Sequence, residues 1–166
     1  MKRGKMRVGI GYDIHRLTEG RPLFLGGIEI PYSKGLLGHS DGDALIHAVA
    51  DAMLGALSLG DIGEHFPNTD AKYKGISSVE LLKKVLQAVK DKGFAVNNID
   101  TMIIAEEPRI IPFREKMVKV LSAALDVGAD RVSIKATTAE GVGVIGKGEA
   151  IAAYAVATLA REEVNR

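Results

Sequence analysis

All four histidines, His15, His39, His47 and His65, fall within the first 65 residues, and three of them stand close to carboxylates. The chain has no cysteine, so a tight metal site can draw only on His, Asp and Glu. Side chains on a strand alternate between faces, so Asp13 and His15, two positions apart, project the same way and can converge on one cation. His47 supplies a third ligand if its helix packs over the end of that strand. Three protein ligands with an open fourth position is the arrangement of a catalytic zinc site, the open position taking a water or a substrate oxygen. Asp43 and Asp51, each one helical turn from His47, are candidates to orient its imidazole. A plainer account fits the same spacing: an Asp-x-His pair arising by chance, and His47 as an ordinary helix residue. The segment His39-Ser40-Asp41-Gly42-Asp43 favours the metal reading, because it holds more polar groups than one helix cap requires.

Two more polar clusters follow strand-like segments. Ala105-Glu106-Glu107-Pro108-Arg109 leads into Pro112 and suits a loop that holds a nucleobase or phosphate through its backbone. Lys135-Ala136-Thr137-Thr138-Ala139-Glu140-Gly141-Val142-Gly143 brings together hydroxyls, a carboxylate and flexible backbone. Threonine hydroxyls and backbone N–H groups suit phosphate oxygens, and Glu140 suits a hard cation such as Mg²⁺. A Thr-rich strand end with a glycine turn accounts for the same residues, and Lys147 beyond it could pair with phosphate or sit in solvent.

These groups need elements to position them. Met6 to Ile14 reads as a strand, and Leu23-Phe24-Leu25, Gly26-Gly27, Ile28-Glu29-Ile30 as a tight hairpin. Leu45, Val49, Ala52, Met53 and Ala56 recur at helical spacing up to about Leu57, with Ser40 as the expected N-cap. Gly60 to Gly75 has no period and reads as a loop between helices. Ser77 with Glu80 has the form of a capping box opening a second helix, with Val79, Leu82, Leu86 and Val89 as its buried stripe and a stop near Gly93. A third helix starts at Pro112, buries Phe113, Met117, Val120, Leu121 and Ala124, and exits at Gly128. Further strands fit at about Asn98 to Ala105 and Arg131 to Thr137. The segment from Ala150 to Leu159 stays ambiguous between helix and strand. Strands alternating with helices, and no repeat or linker, indicate one α/β or α+β sandwich domain.

Composition narrows the function further. Twenty-two basic residues against twenty-one acidic ones leave a net charge of +1, which gives no footing for a general nucleic-acid or membrane-surface role. Met1 to Arg7 is a short basic run without the apolar core of a secretory signal, and no apolar run reaches membrane-spanning length. A soluble cytoplasmic protein is the expectation.

Taken in order, the segments resemble the 2-C-methyl-D-erythritol 2,4-cyclodiphosphate synthase family from about Met6 to the end. The resemblance is carried by Gly9-x-Gly11-Tyr12-Asp13-Ile14-His15, by Leu25-Gly26-Gly27 with Ile30-Pro31, and by Gly35-Leu36-Leu37-Gly38-His39-Ser40-Asp41-Gly42-Asp43 followed by His47. Leu59-Gly60-Asp61-Ile62-Gly63 with Phe66-Pro67, and Lys135-Ala136-Thr137-Thr138-x-Glu140, complete it.

The resemblance implies a homotrimer of α/β subunits, each a mixed sheet with helices on one face, with active sites at subunit boundaries and a strand for the last segment. It implies Zn²⁺ on Asp13, His15 and His47, and Mg²⁺ or Mn²⁺ on Glu140 beside the substrate diphosphate. His39, Ser40, Asp61, Ile62 and Gly63 would hold the methylerythritol phosphate part. Ala105, Pro108, Arg109 and Ile111, with Thr137, Thr138 and Glu140, would bind the cytidine diphosphate part from the neighbouring subunit. Asp13, His15, Phe66, Asp70, Val144 and Lys147 also match substrate-contacting positions, and His39 and Thr138 match those credited with steadying the transition state. Three positions depart from the family pattern: Asn68 for an aspartate, Val144 for an aromatic, and Lys147 for an arginine. The implied reaction closes a cyclic diphosphate and releases CMP. The same residues could instead serve a zinc-dependent phosphohydrolase that activates water, or a noncatalytic nucleotide-binding trimer with a structural metal. A structural zinc usually has four protein ligands, and three are in view here.

Overall fold

The computed structural model describes residues 6–162, so residues 1–5 of the basic run lie outside the described residues. Seven strands occur in it: β1 (Met6–Glu19), β2 (Leu23–Leu25), β3 (Ile28–Ile30), β4 (Lys34–Leu36), β5 (Phe94–Ile104), β6 (Val132–Thr137) and β7 (Ala150–Arg161). The helices are α1 (Ala44–Ala56), α2 (Ile62–His65), α3 (Ser78–Asp91), α4 (Arg114–Leu125) and α5 (Gly143–Gly146). Five strands form one mixed sheet in the order β4-β1-β7-β5-β6, with only β5 and β6 parallel. β2 and β3 make a separate ribbon whose turn residues Gly26 and Gly27 sit at φ 62° and 79°, the conformation that the expected hairpin asks of glycine.

The last segment is a strand, against the helical propensity of its alanines. From Ala153 onward burial alternates along β7, with Ala155 and Ala157 inward and Tyr154 and Val156 outward. A central place between β1 and β5 pairs both of its edges, and this outweighs a weak local preference. Its small inward side chains leave room for α1, which lies across β1 and β7.

β1 alternates in the same way: Gly9, Gly11, Asp13, His15 and Leu17 face the helical layer, while Val8, Ile10, Tyr12 and Ile14 face out. Gly9 and Gly11 matter for this contact because a Cβ on either would stand 1.9 Å from the carbonyl oxygen of Ala52 or 1.8 Å from that of Ala48. Ala44, Ala48, Ala52 and Ala56, spaced by four, are all buried in α1. Glycine on the strand and alanine on the helix let the two backbones touch, which brings His47 over Asp13 and His15.

Several ends differ from the sequence expectation. The N-cap of α1 is Asp43 and not Ser40: its carboxylate accepts from Ile46 N, and also from Gly26 N at 3.0 Å and Gly27 N at 2.7 Å. One buried carboxylate therefore joins the helix start to the hairpin turn. Replacing Asp43 by alanine leaves three backbone donors without their acceptor and is expected to lower unfolding stability by about 3 kcal/mol or more, read from denaturant midpoints. Ser77 caps α3, but Glu80 turns to Lys83 at 2.8 Å and does not close the box. The stretch from Gly60 to Gly75 contains α2 and a 3₁₀ turn over Ala71–Tyr73. β5 begins at Phe94, directly after Gly93. A 3₁₀ turn over Ile111–Phe113 precedes α4, which ends at the left-handed Asp126 (φ 57°) before Gly128 is reached. Among the described residues no helix is long and apolar enough to cross a membrane.

Candidate metal centre and active site

Asp13 Oδ2 lies 2.7 Å from His15 Nε2 and 3.0 Å from His47 Nδ1, and the two imidazole nitrogens are 3.2 Å apart. Strand alternation aims Asp13 and His15, and the packing of α1 on Gly11 supplies His47. The other nitrogen of each ring is engaged. His15 Nδ1 donates to the Leu37 carbonyl at 2.5 Å, which leaves Nε2 with its lone pair inward. His47 Nε2 lies 2.9 Å from Ser78 Oγ and 3.1 Å from Ser40 Oγ. The Ser78 hydroxyl in turn donates to Asp41, whose second oxygen accepts from Ser78 N at 2.9 Å. The Ser78 oxygen is thus turned to receive the His47 Nε2 proton, and Nδ1 also presents a lone pair.

One carboxylate oxygen and two imidazole lone pairs this close repel one another unless a cation sits among them, and the donor set suits a divalent metal ion. Burial pulls the His15 imidazole down, but its bonds to Asp13 outweigh this and raise it above its ordinary value. Burial likewise pushes Asp13 up, and the adjoining His15 and His47 imidazoles overturn that to hold it well below the usual carboxylate range.

The residues expected to orient His47 do not do so. Asp43 is taken up by the hairpin and helix cap, and Asp51 accepts from Ile62 N at 2.7 Å, fixing the start of α2. Ser78, Ser40 and Asp41 do the orienting. The surplus of polar groups in residues 39–43 was the signal for Ser40 and Asp41; Ser78 had none, being one of two adjacent serines at a helix start. Replacing Ser78 by alanine removes the acceptor that sets the tautomer. It is expected to weaken divalent metal binding at this site by about 10–100-fold in a chelator competition while leaving the fold intact, and Ser78→Thr should recover most of it. Arg21, also unforeseen, donates to the carbonyls of Gly38 at 3.1 Å and Ser40 at 2.9 Å and braces the same loop.

Asp13, His15, Ser40 and His47 form the wall of a cleft of about 400 Å³ that also includes His39, Ile62, Gly63, Phe66, Asn68 and Tyr73. His39 Nε2 is buried there without a hydrogen-bond partner among the described residues, a donor or acceptor available to a ligand. Asp61 and Asp70 do not line the cleft. Asp61 accepts from Glu64 N at the start of α2, and Asp70 caps the 3₁₀ turn and pairs with Lys72 at 2.7 Å.

The other expected residues gather elsewhere. Ala105 N donates to the Thr137 carbonyl at 3.0 Å, tying the loop after β5 to the end of β6. Pro108, Arg109 and Ile111 continue the first loop and Thr138 and Glu140 the second, where Thr138 Oγ1 donates to Glu140 at 2.9 Å. Arg109, Ile111, Thr137, Thr138, Glu140, Val144 and Lys147 are exposed. An exposed carboxylate beside a threonine hydroxyl suits a hard cation that takes its remaining oxygens from phosphates. Val144 borders a second, smaller cavity with Ile14, Arg16 and Glu149. None of these residues lines the cleft of Asp13: the end of β6 is three strand spacings from β1, about 14 Å, the end of β5 is two, and Val144 lies beside Ile14 on the outward face of β1.

Comparison with known proteins gives this geometry a family. The YgbB family matches residues 6–160. The 2-C-methyl-D-erythritol 2,4-cyclodiphosphate synthase of Pelotomaculum thermopropionicum is 59% identical over 92% of this chain and 94% of its own. Among solved structures, the bifunctional IspDF of Campylobacter jejuni matches with TM-score 0.94 and 40% identity over 98% of this chain and 44% of its own length. IspF of Plasmodium falciparum, in a CDP complex, matches with TM-score 0.85 and 33% identity over 98% and 100%. With the fold, the Asp-His-His cluster and the sequence in agreement over almost its whole length, the chain belongs to the YgbB family, that of the 2-C-methyl-D-erythritol 2,4-cyclodiphosphate synthases.

Proposed function

We propose that the chain converts 4-diphosphocytidyl-2-C-methyl-D-erythritol 2-phosphate to 2-C-methyl-D-erythritol 2,4-cyclodiphosphate and CMP, as a homotrimeric phosphorus–oxygen lyase of non-mevalonate isoprenoid precursor biosynthesis in the cytoplasm. The observation that carries this reading is the convergence of Asp13, His15 and His47 in a cleft with His39 and Ser40 on its wall.

The chemistry asks little of a general base. A phosphate monoester is largely ionised at neutral pH, so an oxygen of the 2-phosphate is already a nucleophile. It attacks the β-phosphorus of the same molecule; a P–O bond forms there, the bond to the bridging oxygen breaks, and CMP leaves with that electron pair. The barrier lies in bringing two anions into line, so fixed geometry and charge compensation are what the protein must supply. Zn²⁺ on Asp13, His15 and His47 would supply Lewis acidity and a template, and Mg²⁺ or Mn²⁺ on Glu140 would offset charge between the phosphates. His39 and Thr138 would place donors where charge develops, Ser40 with Ile62, Gly63 and Phe66 would seat the methylerythritol part, and Ala105 to Ile111 the cytidine. Lys147 would give phosphate a point charge in place of an arginine fork.

Two features support the trimer. Val8 and Ile10 are 63% and 70% exposed on the outer sheet face, beside Tyr12 and Tyr154 with ring centroids 4.7 Å apart, an apolar surface of the kind that marks an interface. The second is the gap of about 14 Å between β1 and β6, far beyond the reach of one small ligand-bridging ion. A neighbour's Thr137–Glu140 segment over this cleft would complete the site. A phosphorus NMR time course with the diphosphocytidyl substrate, run metal-stripped and then with Zn²⁺ and Mg²⁺ restored, tests the whole. Cyclic diphosphate and CMP are expected only after metal addition; inorganic phosphate or linear products would replace this reading with a hydrolase, and no turnover would leave a binding protein.

A further inference from the structure

Glu106 is the residue this reading leaves without a task. It stands just past the end of β5, beside the turn that carries Glu140, and among the described residues it has no cationic partner within salt-bridge distance. Both its oxygens are nevertheless engaged: Oε2 accepts from Ala139 N at 3.0 Å and Oε1 from Gly141 N at 3.1 Å. Those two amides flank Glu140. Glu140 itself has φ 52°, in the left-handed region that a residue with a Cβ resists, and Gly141 follows at φ 74°. A turn of this shape persists only where its surroundings hold it, and here two side chains do so. Glu106 grips the backbone on both sides of the strained residue, and Thr138 Oγ1 meets the Glu140 carboxylate from within the turn.

We propose that Glu106 is a positioning residue that clamps the turn at 138–141, so that the Glu140 carboxylate is aimed before any cation or diphosphate arrives. The anchorage of Glu106 is rigid, since Ala105 N is bonded to the Thr137 carbonyl and Ile104 is in register with Thr137. A carboxylate is the group the position requires. It offers an acceptor to each amide, whereas a glutamine would offer one oxygen and set an NH₂ against the second N–H.

The proposal rests on Glu140 as a cation ligand, so the test treats the two claims separately. Wild type, Glu106→Gln, Glu106→Ala and Glu140→Ala would be compared as assembled protein by amide hydrogen exchange at Ala139 and Gly141 and by Mn²⁺ binding in the presence of CDP, followed by electron paramagnetic resonance. Faster exchange at both amides in Glu106→Ala is expected, with Mn²⁺ binding weakened about tenfold or more, the intermediate loss in Glu106→Gln, and unchanged zinc content. In steady state the loss should fall on kcat more than on KM. Unchanged exchange in Glu106→Ala would overturn the clamp. So would unchanged Mn²⁺ binding in Glu106→Ala when Glu140→Ala loses it. Retained Mn²⁺ binding in Glu140→Ala would overturn the ligand role of Glu140 instead, and the exchange rates would still decide the clamp. If Glu106→Ala does not fold, Glu106→Gln carries the same comparison.

Discussion

Replacing His47 by alanine is expected to empty the proposed zinc site and to lower turnover by about 10³-fold or more, while the protein stays folded. The size follows from what is removed. One of three ligand atoms goes, and the ion's stabilisation of transition-state charge is worth several kcal/mol, each 1.36 kcal/mol being tenfold in rate. The fold is spared because the His47 side chain, 12% exposed, lines the wall of the cleft, while the packing of α1 rests on its alanines and on Leu45, Ile46, Val49 and Met53. Asp13 and His15 would still be paired at 2.7 Å, so the strand keeps its shape. Zinc content by atomic absorption, thermal unfolding and the phosphorus NMR assay together decide the point. A folded variant that keeps its metal would remove His47 from the ligand set, and a metal-free variant that still makes cyclic diphosphate would remove the ion from the chemistry.

The second large effect is expected far from any ligand atom, at Gly11. An alanine Cβ there would stand 1.8 Å from the carbonyl oxygen of Ala48 and 2.8 Å from its carbon. Both are backbone atoms in the middle of a helix, so no side chain can swing aside. The helix must move off the strand by more than about 1 Å to restore ordinary contact, which costs about 3 kcal/mol or more. Because His47 precedes Ala48, the same movement draws its Nδ1 away from Asp13. Gly11→Ala should therefore lose stability and zinc affinity together. Gly20→Ala is the comparison: it shares the glycine, at φ 75°, but its Cβ meets nothing within 4 Å, so about 1–2 kcal/mol of backbone strain and no change in zinc binding are expected. Denaturant midpoints and a chelator titration of both variants separate the two cases. A Gly11→Ala protein as stable as wild type would show that α1 does not rest on β1 as described.

Much of the site follows from local rules that need no tertiary knowledge. A period of two places Asp13 and His15 on one face of β1, and a helical period places His47 within α1; together they name the three groups that could hold a metal. The hairpin turn at Gly26-Gly27 follows from glycine's access to positive φ. What local rules could not decide are the contacts made between segments distant in the chain. Ser78 meets Asp41 across 37 positions and His47 across 31, and no period or spacing relates such residues. Asp43 has the residue type of a ligand-orienting group, but the hairpin turn, 16 positions away, presented two amides and took it. Ala150 to Arg161 has the composition of a helix and became a strand because β1 and β5 each offered it an unpaired edge. Residue types and spacing thus determined which groups are able to bind a metal. Burial and long-range pairing decided which nitrogen faces it and what holds that nitrogen there, because a hydrogen bond or a helix contact depends on distance in space and not along the chain.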